Sequence, residues 1–430
     1  MQDFWTDLRI ASRRLRHAPG FALTAILSLT IAIAANLVVF GVMNAAILRP
    51  LNVAHADHLR MIEHKEKGYI TQSYPDLLDF QKRNTTFTAI AGYRIGQSGV
   101  STQAAQSVWN YEVTSNYFDM LGVQPELGRF FHPNDEHGPN SMPYIVLSDS
   151  WWRTHFNADP HIIGAKVDVN KQPFTVIGVA PPAFHGTELF LWPDFFAPIM
   201  NEQQLEGYDF LNKRYNHGIF TIGLLKPGVT QQLAMSDWNG VAAQLAKQYP
   251  DTNDQMGVRL GTPGLFGDIL GDAAREFLTG VMLLALLVLV AACVNLASIF
   301  AARAADRNRE LAIRLAIGSS RWRVLRQVVA EAAVLSATGG LIGTLVANTL
   351  MSFLTEWHPI AAYPIHVTVM PDWHVYVLAI LLAAASGILP AILTARQIWQ
   401  THAMQVMKAG ATQSVFRRLS LRDVLLGLQV

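Results

Sequence analysis

The sequence predicts a membrane protein with four transmembrane α-helices and one large α+β domain inserted between the first and second. Three observations carry this. Four apolar runs are each long enough to cross lipid, arginines crowd one side of the crossings, and residues 49–276 have the texture of a water-facing domain. Composition agrees: charged residues make up 15% and hydrophobic residues 51% of the 430, where an ordinary soluble domain has about 25% charged residues. Such a chain is too apolar to be wholly soluble and too polar to lie wholly in lipid.

A spanning helix needs about 20 mostly apolar residues, because hydrocarbon offers no water to backbone N–H and C=O groups. After a basic N-terminal segment, residues 1–20, the first run occupies 21–48 without a charge. It is longer than the ~7–15 apolar residues of a signal peptide, so an uncleaved anchor is expected. The second run, 277–302, is equally uncharged. The third, 327–354, carries Glu331 near its start, and the fourth, 373–395, contains Pro390. Orientation follows from arginine and lysine, which short loops retain on the cytoplasmic side. Arg9, Arg13, Arg14 and Arg16 precede the first run, seven arginines from Arg303 to Arg326 lie in the loop 303–326, and Arg396 to Arg422 lie in the tail 396–430. The loop 355–372 has no lysine or arginine. An even number of crossings puts all three basic segments on one side, with 49–276 on the other.

In that domain, strand-like runs at 143–149, 165–170 and 173–182 alternate with helical segments at 73–84, 148–156 and 229–250, the last with Thr230 as its expected N-cap. This is an α+β or α/β texture. Enzyme chemistry finds little support. His55, His58 and His64, and the group His132, Asp135, Glu136 and His137, lack the spacing of a zinc site and are expected to be polar loops. The single cysteine, Cys293, falls in the second apolar run, so an intramolecular disulfide is excluded and nucleophilic cysteine chemistry has no support.

The basic loop carries the sharpest pattern. Arg303, Arg307, Glu310 and Arg314 recur at spacings of four, three and four, placing them on one helical face, while Leu311 and Leu315 share another. Gly318 suits a left-handed helix cap. Two roles fit: arginines that anchor the loop at anionic headgroups, or an amphipathic helix that docks into a groove on a cytoplasmic protein. Glu310 inside the basic stripe and the ordered cap favour docking. Within the spans, Gly339 and Gly343 form a small-xxx-small face, and Asn36, Asn44, Asn295 and Asn348 should seek partners across helices. Glu331 is a functional candidate as an intramembrane carboxylate, with Arg326 or Arg303 as its expected partner.

The segment RNRELAIRLAIGSSRWRVLRQ, 307–327, followed by Gly339, Gly340 and Gly343, resembles the FtsX-like permease domain of the MacB-type ABC transporter family. LRIASRRLRHAPGF and NAAILRPL around the first run, and VTSNYFDMLGVQPELGRFF at 113–131, 146–184 and LKPGVTQQL at 225–233, are similar to that family's N-terminal segment and periplasmic core domain. The resemblance covers essentially the whole chain. It implies a bacterial inner-membrane permease with a cytoplasmic N-terminus, whose periplasmic domain has two α/β subdomains. It also implies mechanotransmission, in which ATP hydrolysis on a separate cytoplasmic ABC ATPase moves a coupling helix, here Arg303 to Gly318, and the long helices carry the motion to the periplasmic domain in an efflux-type process.

Some members of the family carry a fused ATPase. Here no lysine follows a glycine, which excludes a Gly-Lys-Ser/Thr phosphate loop in this sequence. The expectation is a non-enzymatic subunit that binds no cofactor directly, leaves ATP to its partner, and works as a homodimer or with a second permease unit in the lipid bilayer, without nucleic acid. FRRLSLRDVLLGLQV, 416–430, runs again from arginines into an apolar stretch. It fits either the start of a further span, as in a duplicated permease, or an amphipathic tail on the membrane. A membrane-anchored extracytoplasmic ligand sensor is the runner-up reading.

Overall fold

The computed structural model describes residues 2–64, 70–101, 105–306, 321–356, 365–366, 369 and 371–400. The chain divides into a helical unit, Met1–Ala45, Glu276–Glu356 and Val369–Val430, and an α+β unit, Ala46–Arg275 with Trp357–Thr368.

In the helical unit, α1 (Gln2–Arg16) is amphipathic, and α2 (Pro19–Met43) starts on a proline, whose missing N–H costs nothing at a first helical turn. Among the described residues, four helical segments are long and apolar enough to cross a membrane: Pro19–Leu48, Leu270–Phe300, Arg326–Glu356 and Trp373–Ile392. The second belongs to a single helix of 40 residues, Gly267–Asp306. That helix begins ten residues before the expected start at 277, because Asp268, Asp272, Arg275 and Glu276 interrupt apolarity without interrupting the helical backbone. Arg321–Glu356 and Trp373–Gln400, the latter with Pro390 inside, supply the remaining two.

Helices in lipid gain little from the hydrophobic effect and associate through close packing and a few polar contacts. The helix Arg321–Glu356 achieves this with glycine. A methyl group added at Gly339 would lie 2.9 Å from Leu29 Cβ, and one at Gly343 3.1 Å from the Thr30 carbonyl oxygen, both on α2. Gly340 turns the other way, with Ala383 Cβ 2.7 Å from such a methyl. The Thr30 hydroxyl donates to the Gly339 carbonyl at 3.4 Å, and Asn36 Nδ2 donates across to the Ala285 carbonyl at 2.7 Å.

Among the described residues, the α+β unit carries ten strands in one sheet. Numbered in chain order, these are β1 (Leu59–His64), β2 (Phe87–Ser101), β3 (Ala105–Val113), β4 (Leu127–Gly128), β5 (Tyr144–Leu147), β6 (Lys166–Val169), β7 (Gln172–Val179), β8 (Phe195–Pro198), β9 (Phe220–Leu225) and β10 (Val258–Gly261). One end, β10-β1-β9-β2, is antiparallel throughout. It is covered by the helices Tyr74–Arg83 and Gln231–Gln248, where Phe80 stacks on Trp238 at 4.4 Å and Phe87 meets the same indole edge-on at 5.1 Å. The other end closes on itself. From β2 the ladder runs through β3, β8, β5 and β7 to β6, which pairs back onto β2. Trp151, Phe174 and Phe195 fill the core there. The 15-residue β2 belongs to both ends, so one strand joins two subdomains.

Thr230, the expected N-cap, accepts from a backbone N–H of the helix that follows, and Ser73 and Ser148 cap their helices in the same way. Among the described residues no group of three or more His, Cys, Asp or Glu could hold a metal ion. His132 instead pairs with Asp119 at 2.9 Å, and Asp135 with Arg129 at 2.6 Å.

Gly340→Leu should destabilise the detergent-solubilised chain by about 1–3 kcal/mol through overpacking, read as a lower melting temperature. Gly280→Leu is the control, since a Cβ at Gly280 meets nothing within 4 Å, and it should melt like the wild type.

Candidate functional site

The arginine-bearing end of the helical unit is where the predicted coupling residues begin. On α1, Asp7, Ala11, Arg14 and Leu15 fall at spacings of four, three and one, so they share a face. Ala11 and Leu15 are buried. The two charged members form ion pairs with the helix Arg321–Glu356: Asp7 with Arg326, and Arg14 Nη1 with Glu331 Oε1 at 3.3 Å. The Glu331 side chain is only 7% exposed, so a charge compensated this way sits in a place where a lone carboxylate would be costly. Arg14 from α1 is thus one ion-pair partner of Glu331, while the expected Arg326 and Arg303 are seen to engage Asp7 and Phe21. The Arg303 guanidinium lies over the Phe21 ring, 3.9 Å from its centroid, and Phe300 meets the same ring edge-on at 5.5 Å. The start of α2 and the end of the helix Gly267–Asp306 are tied by this cation–π contact.

Arg307, Glu310, Leu311, Arg314, Leu315 and Gly318 lie outside the described residues. Gly339 and Gly343 are brought together against α2, as their spacing suggested. Asn44 donates to Asp372 Oδ2 at 2.9 Å, at the far end of the same helices. Asn295 is half-buried. Asn348 Oδ1 is buried without a hydrogen-bond partner among the described residues.

Two residues with no sequence signal hold the other end of the long helix Gly267–Asp306. Glu63 on β1 and Glu188, in the loop before β8, are buried carboxylates converging on its N-terminus. Glu63 Oε1 accepts from the Asp268 N–H at 2.6 Å, while its Oε2 accepts from Arg259 Nε at 3.0 Å and Nη2 at 2.6 Å. Glu188 Oε2 accepts from the Phe266 N–H at 2.7 Å, and its Oε1 from the Tyr93 hydroxyl. Helix N-termini leave backbone N–H groups unpaired and carry partial positive charge, so carboxylates suit the position. Burial raises the proton affinity of both. It pushes Glu63 above the ordinary carboxylate value against the lowering effect of Arg259, and Glu188 up to about 7 against its two hydrogen bonds. Glycine makes the seat possible. A methyl at Gly267, whose φ is +72°, would fall 1.8 Å from Glu63 Oε1, and one at Gly261 2.1 Å from it. In the sequence Glu63 stands within LRMIEH as one acid in a strand, and nothing local names a partner some 200 residues away.

Two outcomes follow. Arg14→Gln should cost about 1–3 kcal/mol by leaving a buried acceptor poorly paired, and Arg14→Glu with Glu331→Arg together should recover most of the melting temperature. Glu188 binds its proton more tightly in the folded chain than in an unfolded one, so the stability that it contributes is complete at low pH and lost as pH rises through about 7. Glu63, Glu112 and Glu202 shift in the same direction. Thermal unfolding between about pH 5 and pH 8 should therefore show a fall in melting temperature with pH that is shallower in Glu188→Gln.

Known proteins match both parts of the chain. Residues 22–241, from within α2 to within the helix Gln231–Gln248, match the MacB-like periplasmic core domain, and residues 282–402 match the FtsX-like permease C-terminal domain. A macrolide export ATP-binding/permease protein, MacB, of Neisseria meningitidis is 26% identical over 272 residues, which are 60% of this chain and 38% of the relative. The ABC transporter permease YvrN of Bacillus subtilis is 23% identical over 301 residues, 66% of each protein. The chain thus spans less than two thirds of the length of these relatives. Among solved structures, the periplasmic region of MacB from Actinobacillus actinomycetemcomitans is 16% identical with a TM-score of 0.36, covering 52% of this chain and 92% of that one. With just over half of its residues matched by the core-domain model and most of the rest by the permease model, the chain belongs to the MacB-like family of ABC transporter permeases, membrane proteins with a periplasmic domain.

Proposed function

We propose that this chain is the permease subunit of an ATP-driven export machine that works by mechanotransmission. A separate cytoplasmic ABC ATPase hydrolyses ATP, the chain binds no nucleotide itself, and the movement reaches the periplasmic domain through the helices. The observation that carries this reading is the helix Gly267–Asp306. Its 40 residues correspond to roughly 60 Å at 1.5 Å per residue, about twice the ~30 Å hydrocarbon thickness. A rod of that length, seated by Glu63 and Glu188 at one end and carrying Arg303 at the other, suits force transmission better than simple anchoring.

We assign the coupling to the segment from Arg303 to Gly318, on the sequence spacing of Arg307, Glu310 and Arg314 and of Leu311 and Leu315. Its place before the helix Arg321–Glu356 agrees with the FtsX-like permease match across 282–402. The same reading places the arginine-rich segments and the N-terminus in the cytoplasm, the chain in a bacterial inner membrane, and a second permease unit, identical or homologous, beside it.

Affinity purification of the tagged chain from its native host, with co-purifying ABC ATPases identified by mass spectrometry, checks this assignment. The wild type should retain the ATPase, and the triple variant Arg307→Ala, Glu310→Ala, Arg314→Ala should lose it while keeping a wild-type melting temperature. Full retention by the triple variant rules out this coupling surface.

A further inference from the structure

A cavity of about 500 Å³ lies in the α+β unit, walled in part by the chain segment 46–51, by Arg60, Leu189 and Leu265, and by Arg275. Its charged lining is three arginines, Arg49, Arg60 and Arg275, against one carboxylate, Asp57. The three arginines differ in how far they are satisfied. Arg275 is held by Asp268 at 3.3 Å and Asp272 at 2.5 Å. Arg60 donates to the backbone carbonyls of Asp57 and Leu59, both at 2.7 Å, which are neutral acceptors and leave its charge in place. Arg49 is exposed and has no ion-pair partner among the described residues. With Arg275 neutralised by its two aspartates, Arg49 and Arg60 against Asp57 leave the lining one positive charge in surplus, beside a mostly apolar wall that includes Ile47, Leu51, Leu189, Leu265 and Leu48, the last 53% exposed.

Chain connectivity adds the second half of the argument. Leu48 is the last residue of the candidate span Pro19–Leu48, and Arg275 falls inside the candidate span Leu270–Phe300. Two walls of the cavity therefore continue directly into segments that cross lipid. Guanidinium groups present a planar fork that matches phosphate oxygens, and at a membrane boundary their stems lie along apolar surface while their heads reach the headgroup layer. A pocket that sets uncompensated guanidinium beside exposed leucine, at the ends of two spans, offers both halves of an amphiphile's binding chemistry. A free anion would use the arginines and leave Leu48 without a role.

We propose that this cavity holds the headgroup of an anionic phospholipid, with Arg49 and Arg60 on the phosphate and Leu48 against the first acyl carbons, so that the base of the domain is tethered to the bilayer surface. The proposal does not depend on the coupling surface or on the identity of the ATPase. The test uses the full chain in liposomes containing a photoactivatable phosphatidylglycerol, with the labelled peptides identified by mass spectrometry. Label is expected in residues 46–60. It should fall about tenfold in Arg49→Gln, the loss corresponding to one charge-assisted contact, and Leu48→Ser should also reduce it. Lys171→Gln, an exposed change outside the cavity lining, should leave labelling unchanged. Equal labelling of this segment by a photoactivatable phosphatidylcholine, or undiminished labelling in Arg49→Gln, overturns the proposal. Competition by inorganic phosphate as complete as that by unlabelled phosphatidylglycerol would assign the cavity to a free anion and overturn it as well.

Discussion

Much of this molecule depends on how the helix Gly267–Asp306 begins. The backbone N–H groups of Phe266 and Asp268 reach two carboxylates, Glu188 and Glu63, that belong to separate parts of the α+β unit. Neither carboxylate would be stable in that position alone, because burial disfavours its charge. Each is retained because it accepts several hydrogen bonds, and Glu63 also has Arg259. A side chain at Gly261 or Gly267 would collide with Glu63 Oε1, so these glycines make room for its close approach. The helix start is thus fastened to β1, to β10 through Arg259, and through Tyr93 to β2, the strand shared by both subdomains. Movement at this seat would disturb the centre of the sheet rather than a loose linker.

The helical unit is held by a different kind of constraint. Apolar side chains gain nothing by leaving lipid for one another, so specificity comes from shape and from a few polar groups. Gly339, Gly340 and Gly343 let one helix approach α2 on one side and the helix Trp373–Gln400 on the other, with the Asn36 and Thr30 side chains donating to backbone carbonyls of neighbouring helices. At the arginine-bearing end, α1 is joined to the helix Arg321–Glu356 by two ion pairs, and the start of α2 is joined to the end of the helix Gly267–Asp306 by the Arg303–Phe21 contact. Any displacement of Arg303 therefore acts directly on α2.

What was legible in the sequence was local or compositional. The spans follow from runs of apolar residues, which lipid requires of any crossing helix. The cap at Thr230 depends on a neighbour three residues away. The Gly339–Gly343 face depends on helical periodicity alone. The helix containing the second run extends beyond it, since charge bounds a lipid-crossing run but not a helical backbone. The helix Gly267–Asp306 starts before its apolar run because backbone hydrogen bonding continues through Asp268 and Arg275 regardless of whether those side chains can enter lipid.

Glu331 marks the dividing line. The sequence by itself determined that a carboxylate in this position needs a cation, because the cost of an unpaired charge in an apolar setting is independent of fold. It also determined the four apolar runs and the inserted α+β domain, since each rests on periodicity or on the solvent that a segment can tolerate. Only the tertiary structure decided that Arg14, 317 residues away, pairs with Glu331, and that Glu63 and Glu188 converge on one helix start. Pairing at such separation is set by which elements pack together, and a side chain carries no local record of the partner that packing will bring to it.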